Sequence, residues 1–186
     1  MTRLFPSPDP LTRLCRLPAA ERAARGLLHT PEEIARQPAA WRATAEAMAR
    51  RLDELAELVQ PAASILLVGA GSSYYAARCL EAPLVRALGR PVRAVPSTEL
   101  IMDPELHLPE GPFLLVSLGR SGQSPEGHAA FRLAEELRPG RVLHLVLTCN
   151  PDGELARLAR TTGQPAVLCL LPPEACDEGL AMTCSF

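Results

Sequence analysis

Five short apolar runs punctuate the chain after Pro61: Ile65–Val68, Val92–Val95, Phe113–Ser117, Val142–Thr148 and Val167–Leu171. They are continuous in hydrophobicity and do not alternate, which is how strands covered on both faces read. Between them the period changes. Ser73 to Leu88 carries Tyr75, Ala76, Cys79, Leu80, Leu84 and Leu88 three or four residues apart, which predicts a helix. Pro83 is expected to kink it and Gly89 to close it. Ser97-Thr98-Glu99 starts a short helix to about Met102. Ser124-Pro125-Glu126 opens another to about Leu137, with Pro139-Gly140 as its stop. A turn at Asn150-Pro151-Asp152-Gly153 leads into a last short helix to about Arg160.

The first sixty residues read differently. The first ten, with Pro6, Pro8 and Pro10, are expected to be loose. Ala19–Arg25 predicts a short helix stopped by Gly26. Thr30-Pro31-Glu32-Glu33 is a helix start, with a capping threonine, proline at the first helical position and carboxylates in the first turn. Pro38 is expected to interrupt that helix. A longer one then runs from about Ala39 to Val59, with Trp41, Ala45, Met48, Leu52, Leu55 and Val59 on one face. An exposed apolar face there would favour self-association. Residues 1–28 read as an extension and 29–186 as one domain preceded by its leading helices.

Strands separated by helices of this length give an α/β fold: a three-layer α/β/α sandwich around a five-stranded, parallel, doubly wound sheet. In the order 2-1-3-4-5 the ligand crevice opens outside the carboxyl ends of the strands, between those ending at Val68 and Ser117. Two Gly/Ser-rich loops leave those strands: Gly69-Ala70-Gly71-Ser72-Ser73, and Arg120-Ser121-Gly122-Gln123-Ser124. Glycine lets a backbone approach closely, serine donates, and a helix N-terminus offers unpaired N–H groups and partial positive charge. That chemistry suits a phosphate.

Composition removes other classes. The 186 residues are 47% hydrophobic, enough for a sizeable core, and a formal charge of −2 gives no field for nucleic acid. No apolar run reaches the roughly 18 residues of a membrane span, and no secretory signal is read at the N-terminus. The six cysteines form no C-x-x-C pair and have no histidine at zinc spacing, so we expect reduced thiols, no metal and a cytoplasmic setting. Cys79, Cys149 and Cys169 sit in periodic or apolar runs and read as buried.

Other readings of the loops are weaker. Gly69-x-Gly71 begins a dinucleotide fingerprint, but Tyr74 stands at the third glycine and no acidic residue closes Val92–Val95. Both loops could be plain turns. Neither reads G-x-S-x-G, so neither serine reads as a nucleophile. Among the histidines, His144 reads as a strand or core residue, His128 as surface or packing, and His29, just before the Thr30 cap, as a solvated loop residue or an acid/base group. Glu99 faces the loop end of the sheet, as a helix cap or as an acid/base group.

These loops resemble the two characteristic loops of a sugar isomerase (SIS) domain: Gly69-Ala-Gly-Ser-Ser73, and Ser117-Leu-Gly-Arg-Ser-Gly-Gln-Ser-Pro-Glu126. Glu33-Ile-Ala-Arg-Gln-Pro38 is similar to the segment leading into the isomerase half of glucosamine-6-phosphate synthase. Arg120–Glu126, Leu147–Asn150 with Gly153–Leu155, and Gly179–Phe186 resemble a narrower group. These are the tandem-SIS galactosamine-6-phosphate deaminases, also called tagatose-6-phosphate ketose/aldose isomerases. The similarity covers roughly residues 29–186.

The resemblance implies a phosphate held by Ser73, Ser121 and Ser124 with the N–H groups of Gly122 and Gln123. Arg120 would supply a cation and Ser72 an N–H or a cap. Gly71 and the loop Leu180-Ala181-Met182-Thr183 would line the sugar. The group carries two SIS domains and this chain holds one, resembling the N-terminal half, without the segment that holds the synthase's catalytic groups. The implied ligand is a phosphorylated amino sugar, with no metal, redox cofactor, nucleic acid or membrane, in a homodimer or higher homo-oligomer. The implied reaction is aldose–ketose isomerisation, with loss of ammonia in the deaminase version. Glu99 and His29 are the candidates for a base. The rival reading is a non-catalytic phosphosugar sensor that uses the same loops.

Overall fold

Asp9 opens the first helix. Its carboxylate accepts the Thr12 N–H at 3.1 Å and caps α1 (Pro10–Cys15), where Pro10 fills the first helical position. The structure is a computed structural model and describes residues 9–179 and 181–185. The chain forms two units, Met1–Ala45 with Pro172–Phe186, and Glu46–Leu171.

In the first unit α1 is followed by α2 (Ala19–Ala24), which the sequence anticipated, and by α3 (Thr30–Ala49), which runs into the second unit. Pro38 does not interrupt α3, contrary to expectation. An interior proline costs about 3 kcal/mol. The neighbouring residues are anchored strongly enough to offset it. Buried Glu33 accepts the N–H groups of Glu178 and Gly179 at 2.7 and 2.8 Å. Arg36 donates to the Cys176 carbonyl at 3.0 Å, and Gln37 to that of Thr183 at 2.8 Å. Two segments about 145 residues apart in sequence, each singled out for its family resemblance, are thus hydrogen-bonded to each other.

In the second unit the long helix expected to reach Val59 breaks at Arg50–Arg51 and resumes as α4 (Leu52–Val59). Arg51 is not spare at that break: its guanidinium bonds Glu54 at 2.7 Å and the Leu168 carbonyl at 2.6 Å. Then come β1 (Ser64–Gly69), α5 (Ser72–Leu88), β2 (Val92–Pro96), α6 (Ser97–Met102), α7 (Pro104–His107) and β3 (Phe113–Leu118). The unit ends with α8 (Pro125–Leu137), β4 (Val142–Thr148), α9 (Glu154–Thr161) and β5 (Ala166–Leu170). Pro83 lies inside α5 without ending it. The carbonyl that loses its partner belongs to Cys79, and both residues face solvent, so water can replace the missing bond. The same exposure corrects the reading of Cys79 as a buried hydrophobe; Cys169 is buried as expected. α7 was not anticipated; Asp103 caps it by accepting the Leu106 N–H at 3.2 Å.

The sheet is parallel throughout, in the order β2-β1-β3-β4-β5 that the sequence predicted. Its two faces follow the period of two. Ile65, Leu67, Leu114, Val116, Leu143 and Val167 share one core with Leu58 of α4 and Ala77 of α5. Leu66, Val68, Phe113, Leu115 and Val142 share the other with Leu100 of α6 and Ala130 and Ala134 of α8. Phe131 and Val146 extend that second core to Leu155 and Leu158 of α9. Helices therefore cover both faces, which is why the strands read as unbroken apolar runs. Among the described residues no helix is long and apolar enough to cross a membrane.

Candidate functional site

Val68 pairs with Ser117 across β1 and β3, and Gly69 with Pro96 across β1 and β2. In a parallel sheet all the carboxyl ends lie on one edge, so the loops after β1 and β3 start side by side where strand order reverses. Glu99, exposed in the first turn of α6, follows the neighbouring strand at that same edge. The capping role expected near it is absent: α6 begins after Pro96 with no side-chain cap.

The first loop turns tightly into α5. A Cβ on Gly69 would lie 2.8 Å from the Ser73 Cβ and 2.9 Å from the Ser73 carbonyl carbon, so only glycine fits. Gly71 stands at the N-cap with φ +54°, and Ser72 and Ser73 are the first two helical residues. Ser73 is buried and Ser72 half-buried. The opening turn of a 17-residue helix thus ends the loop, the Ser73 N–H donating to the Ala70 carbonyl at 3.2 Å and the Tyr74 N–H to the Gly71 carbonyl at 3.1 Å.

The second loop runs into α8. Ser124 caps α8, its Oγ accepting the Gly127 N–H at 3.2 Å. The Ser121 Oγ accepts the Gln123 N–H at 3.3 Å. A hydroxyl whose oxygen already accepts has its O–H left to give, so both serines are set to donate. Ser121 and Gln123 are exposed, and Arg120 and Ser124 half-buried. Gly122, buried, has φ +60°, and a Cβ there would meet the Thr148 Oγ1 at 3.1 Å.

Behind this loop stand residues whose part the sequence did not reveal. His128, read as surface or packing, bonds the Gly122 carbonyl through Nε2 at 2.8 Å. Asn150, read as part of a turn, donates through Nδ2 to the Ser121 carbonyl at 3.0 Å. Thr148 donates to the Arg120 carbonyl at 3.0 Å. The alignment of β3 beside β4 brings Thr148 and Asn150 to the loop, while His128 reaches back to it from α8. Glu154 at the start of α9 bonds Arg157 at 2.6 Å and Arg132 at 2.6 Å. The Arg157 guanidinium holds its carboxyl well below the usual range, at about 2, and the charges of Arg132 and His128 add to the effect. Its negative charge is therefore compensated beside the loop.

The other predicted site residues belong to the first unit. His29 lies 3.6 Å from Glu178 through Nδ1 and helps line a recess of about 520 Å³ with Gly26, Leu28, Thr30, Gly179 and Ala181. Leu180 lies outside the described residues. Ala181 is exposed, and Met182 and Thr183 are half-buried. Asp177 organises this segment. It accepts the N–H groups of Thr183, Cys184 and Ser185 at 2.9 to 3.0 Å, and the hydroxyls of Thr183 and Ser185 at 2.8 and 2.6 Å. Burial works against its charge, and these bonds, led by that from the Ser185 hydroxyl, outweigh burial and hold its pKa well below the usual carboxylate range.

A parallel sheet of this order, with a Gly/Ser-rich loop after each strand at the switch point, defines the class: the chain has the SIS, or sugar isomerase, fold. Within it, the chain is 45% identical over 167 residues to a Streptomyces coelicolor protein provisionally named D-galactosamine-6-phosphate deaminase AgaS, covering 86% of this chain and 42% of that one. It is 37% identical over 180 residues to the D-galactosamine-6-phosphate deaminase AgaS of Shewanella sp., covering 91% and 46%. The crystal structure of tagatose-6-phosphate ketose/aldose isomerase from Escherichia coli superposes with a TM-score of 0.76 at 37% identity, over 84% of this chain and 43% of that one. The chain thus spans less than half the length of these three relatives. No protein-family model matches it.

Proposed function

We propose that this chain is the phosphosugar-binding SIS domain of an amino-sugar-phosphate isomerase or deaminase, acting on galactosamine 6-phosphate. One observation carries the reading: the Ser121 and Ser124 hydroxyls each accept a backbone N–H and keep an O–H to donate, beside a helix N-terminus. That is a receptor for an anion. The names of its relatives, at 37% to 45% identity, supply the sugar.

The chemistry needs a base to move a proton between C1 and C2 and an acid to open the ring. A phosphate held at Ser73, Ser121 and Ser124, with Ser72, Arg120, Gly122 and Gln123 around it, would supply orientation and binding energy remote from those carbons. We assign the phosphate grip to this chain and keep Glu99 and His29 as candidates for the base. Gly71 and residues 181–183 are our candidates for lining the sugar. We take residues 29–186 as the domain with its leading helices. The exposure of Trp41, at 58%, and of Leu52, at 62%, supports self-association.

Calorimetric titration of the purified chain with galactosamine 6-phosphate, with galactosamine as control, tests the proposal. Saturable binding that requires the phosphate is expected. Equal responses to the two sugars, or no response at millimolar ligand from a folded chain, would overturn it. Release of ammonia or ketose in the same mixture would favour catalysis over the sensor reading.

A further inference from the structure

Three successive carbonyls of the second loop point away from the candidate site, and each is tied down. The Arg120 carbonyl accepts from the Thr148 Oγ1 at 3.0 Å and the Cys149 N–H at 2.9 Å. The Ser121 carbonyl accepts from the Asn150 Nδ2 at 3.0 Å. The Gly122 carbonyl accepts from the Leu155 N–H at 3.0 Å and the His128 Nε2 at 2.8 Å. In a trans peptide the N–H points opposite to the carbonyl of the same plane. Fixing these carbonyls on one side therefore turns the N–H groups of Ser121, Gly122 and Gln123 to the other. Two of those donors make only long internal bonds, Gly122 to the Gly119 carbonyl at 3.2 Å and Gln123 to the Ser121 Oγ at 3.3 Å. Successive N–H groups held this way form an anion-binding concavity.

Two of the ties are side chains with no alternative orientation. A carbonyl can only accept, so the His128 Nε2 carries the proton, as it does in both the neutral and the charged ring. The Asn150 Oδ1 accepts the Asp152 N–H at 3.0 Å, which fixes the amide so that its NH₂ faces Ser121.

Resting on the phosphate-binding reading above, we infer that Asn150 and His128 are positioning residues for the phosphate. Neither touches it. They hold the loop's peptide planes in the orientation in which its N–H groups converge, so the geometry exists before the ligand arrives. In the free chain the loop is as ordered as the strands beside it, and the ligand meets a preformed receptor.

Two variants and a rescue test this in the full chain. Asn150→Asp keeps the oxygen that caps the turn and sets a second oxygen against the Ser121 carbonyl. His128→Ala removes the other tie, and His128→Gln offers an amide N–H in its place. The probe is inorganic phosphate, followed by NMR. Asn150→Asp and His128→Ala are each expected to weaken phosphate binding about tenfold, with the melting temperature held within a few degrees. His128→Gln recovers most of the affinity. In the ligand-free state, backbone order parameters at residues 121–123 fall from the rigid range near 0.85 toward the flexible range below about 0.6 in the two damaging variants, and stay high in His128→Gln. Unchanged affinity together with an unchanged, rigid loop in both damaging variants would overturn the inference. So would a loss that His128→Gln does not restore, or a loss that follows general unfolding. If the unsubstituted chain binds no phosphate, the functional reading fails, and the order parameters of the ligand-free variants decide the loop's construction on their own.

Discussion

Alanine at both Ser121 and Ser124 lowers affinity for a phosphosugar at least about 100-fold. Each hydroxyl has its oxygen occupied by a backbone N–H and its proton available. A hydrogen bond to a charged group contributes about 1.5–3 kcal/mol, so losing two removes about 3–6 kcal/mol, a factor on the order of 10² to 10⁴. The single variants differ in a way that separates binding from folding. Ser121 is exposed, caps no helix and accepts only the exposed Gln123 N–H, so Ser121→Ala leaves the melting temperature within about a degree or two. Ser124 is the N-cap of α8, so Ser124→Ala also costs about 1 kcal/mol of stability. Calorimetry with galactosamine 6-phosphate and thermal denaturation measure the two effects. A double variant that binds within threefold of the original would remove these serines from the site.

The second large effect is on stability in acid. His144 of β4 is fully buried, its ring stacked on Phe131 with centroids 3.8 Å apart and planes 16° from parallel. The Glu135 Oε1 lies 3.2 Å from Nε2 but outside the hydrogen-bonding direction, so neither ring nitrogen makes a hydrogen bond. Burial pushes the imidazole from 6.5 down to about 3. Above pH 6.5 the ring is neutral in both folded and unfolded chains and contributes nothing to the pH dependence. As pH falls below 6.5 the unfolded chain takes up a proton that the folded chain refuses, and stability declines. The limit for one such group is about 1.4 kcal/mol per pH unit. We expect a loss of about 2 kcal/mol between pH 6.5 and 4.5. Urea denaturation at those two pH values shows it as a falling midpoint. His144→Phe keeps the stack, has no proton to gain, and flattens that part of the decline. An equal decline in both proteins would show that the ring is charged or solvated in the folded state.

Much of this architecture was legible from hydrophobic pattern alone, and the reason is specific. Runs such as Ile65–Val68 and Phe113–Val116 are buried on both faces, so their polarity carries no face information but locates the central strands unambiguously. Their connecting helices then restrict the strand order, and the loops at the switch point follow. What the pattern could not show is set by contacts distant in sequence. Pro38 was read by its local cost, whereas Glu33, Arg36 and Gln37 anchor that helix to residues 176–183. The break at Arg50–Arg51 carries no glycine or proline to announce it. His128 and Asn150 look ordinary in sequence; the pairing of β3 with β4 brings Asn150 behind the second loop, and the turn into α8 brings His128 back to it. Residue type indicated which loop groups could donate to an anion; it did not indicate that Asn150 and His128 bond the carbonyls behind them.

The measurement that bears most directly on the central claim is a map of backbone amide shifts in the ¹⁵N-labelled chain during titration with galactosamine 6-phosphate. Saturable shifts concentrated at residues 71–74 and 120–125, absent with galactosamine, are the predicted result. Shifts confined to other parts of the chain, or the same map with the unphosphorylated sugar, would contradict the assignment of these two loops as the phosphate grip.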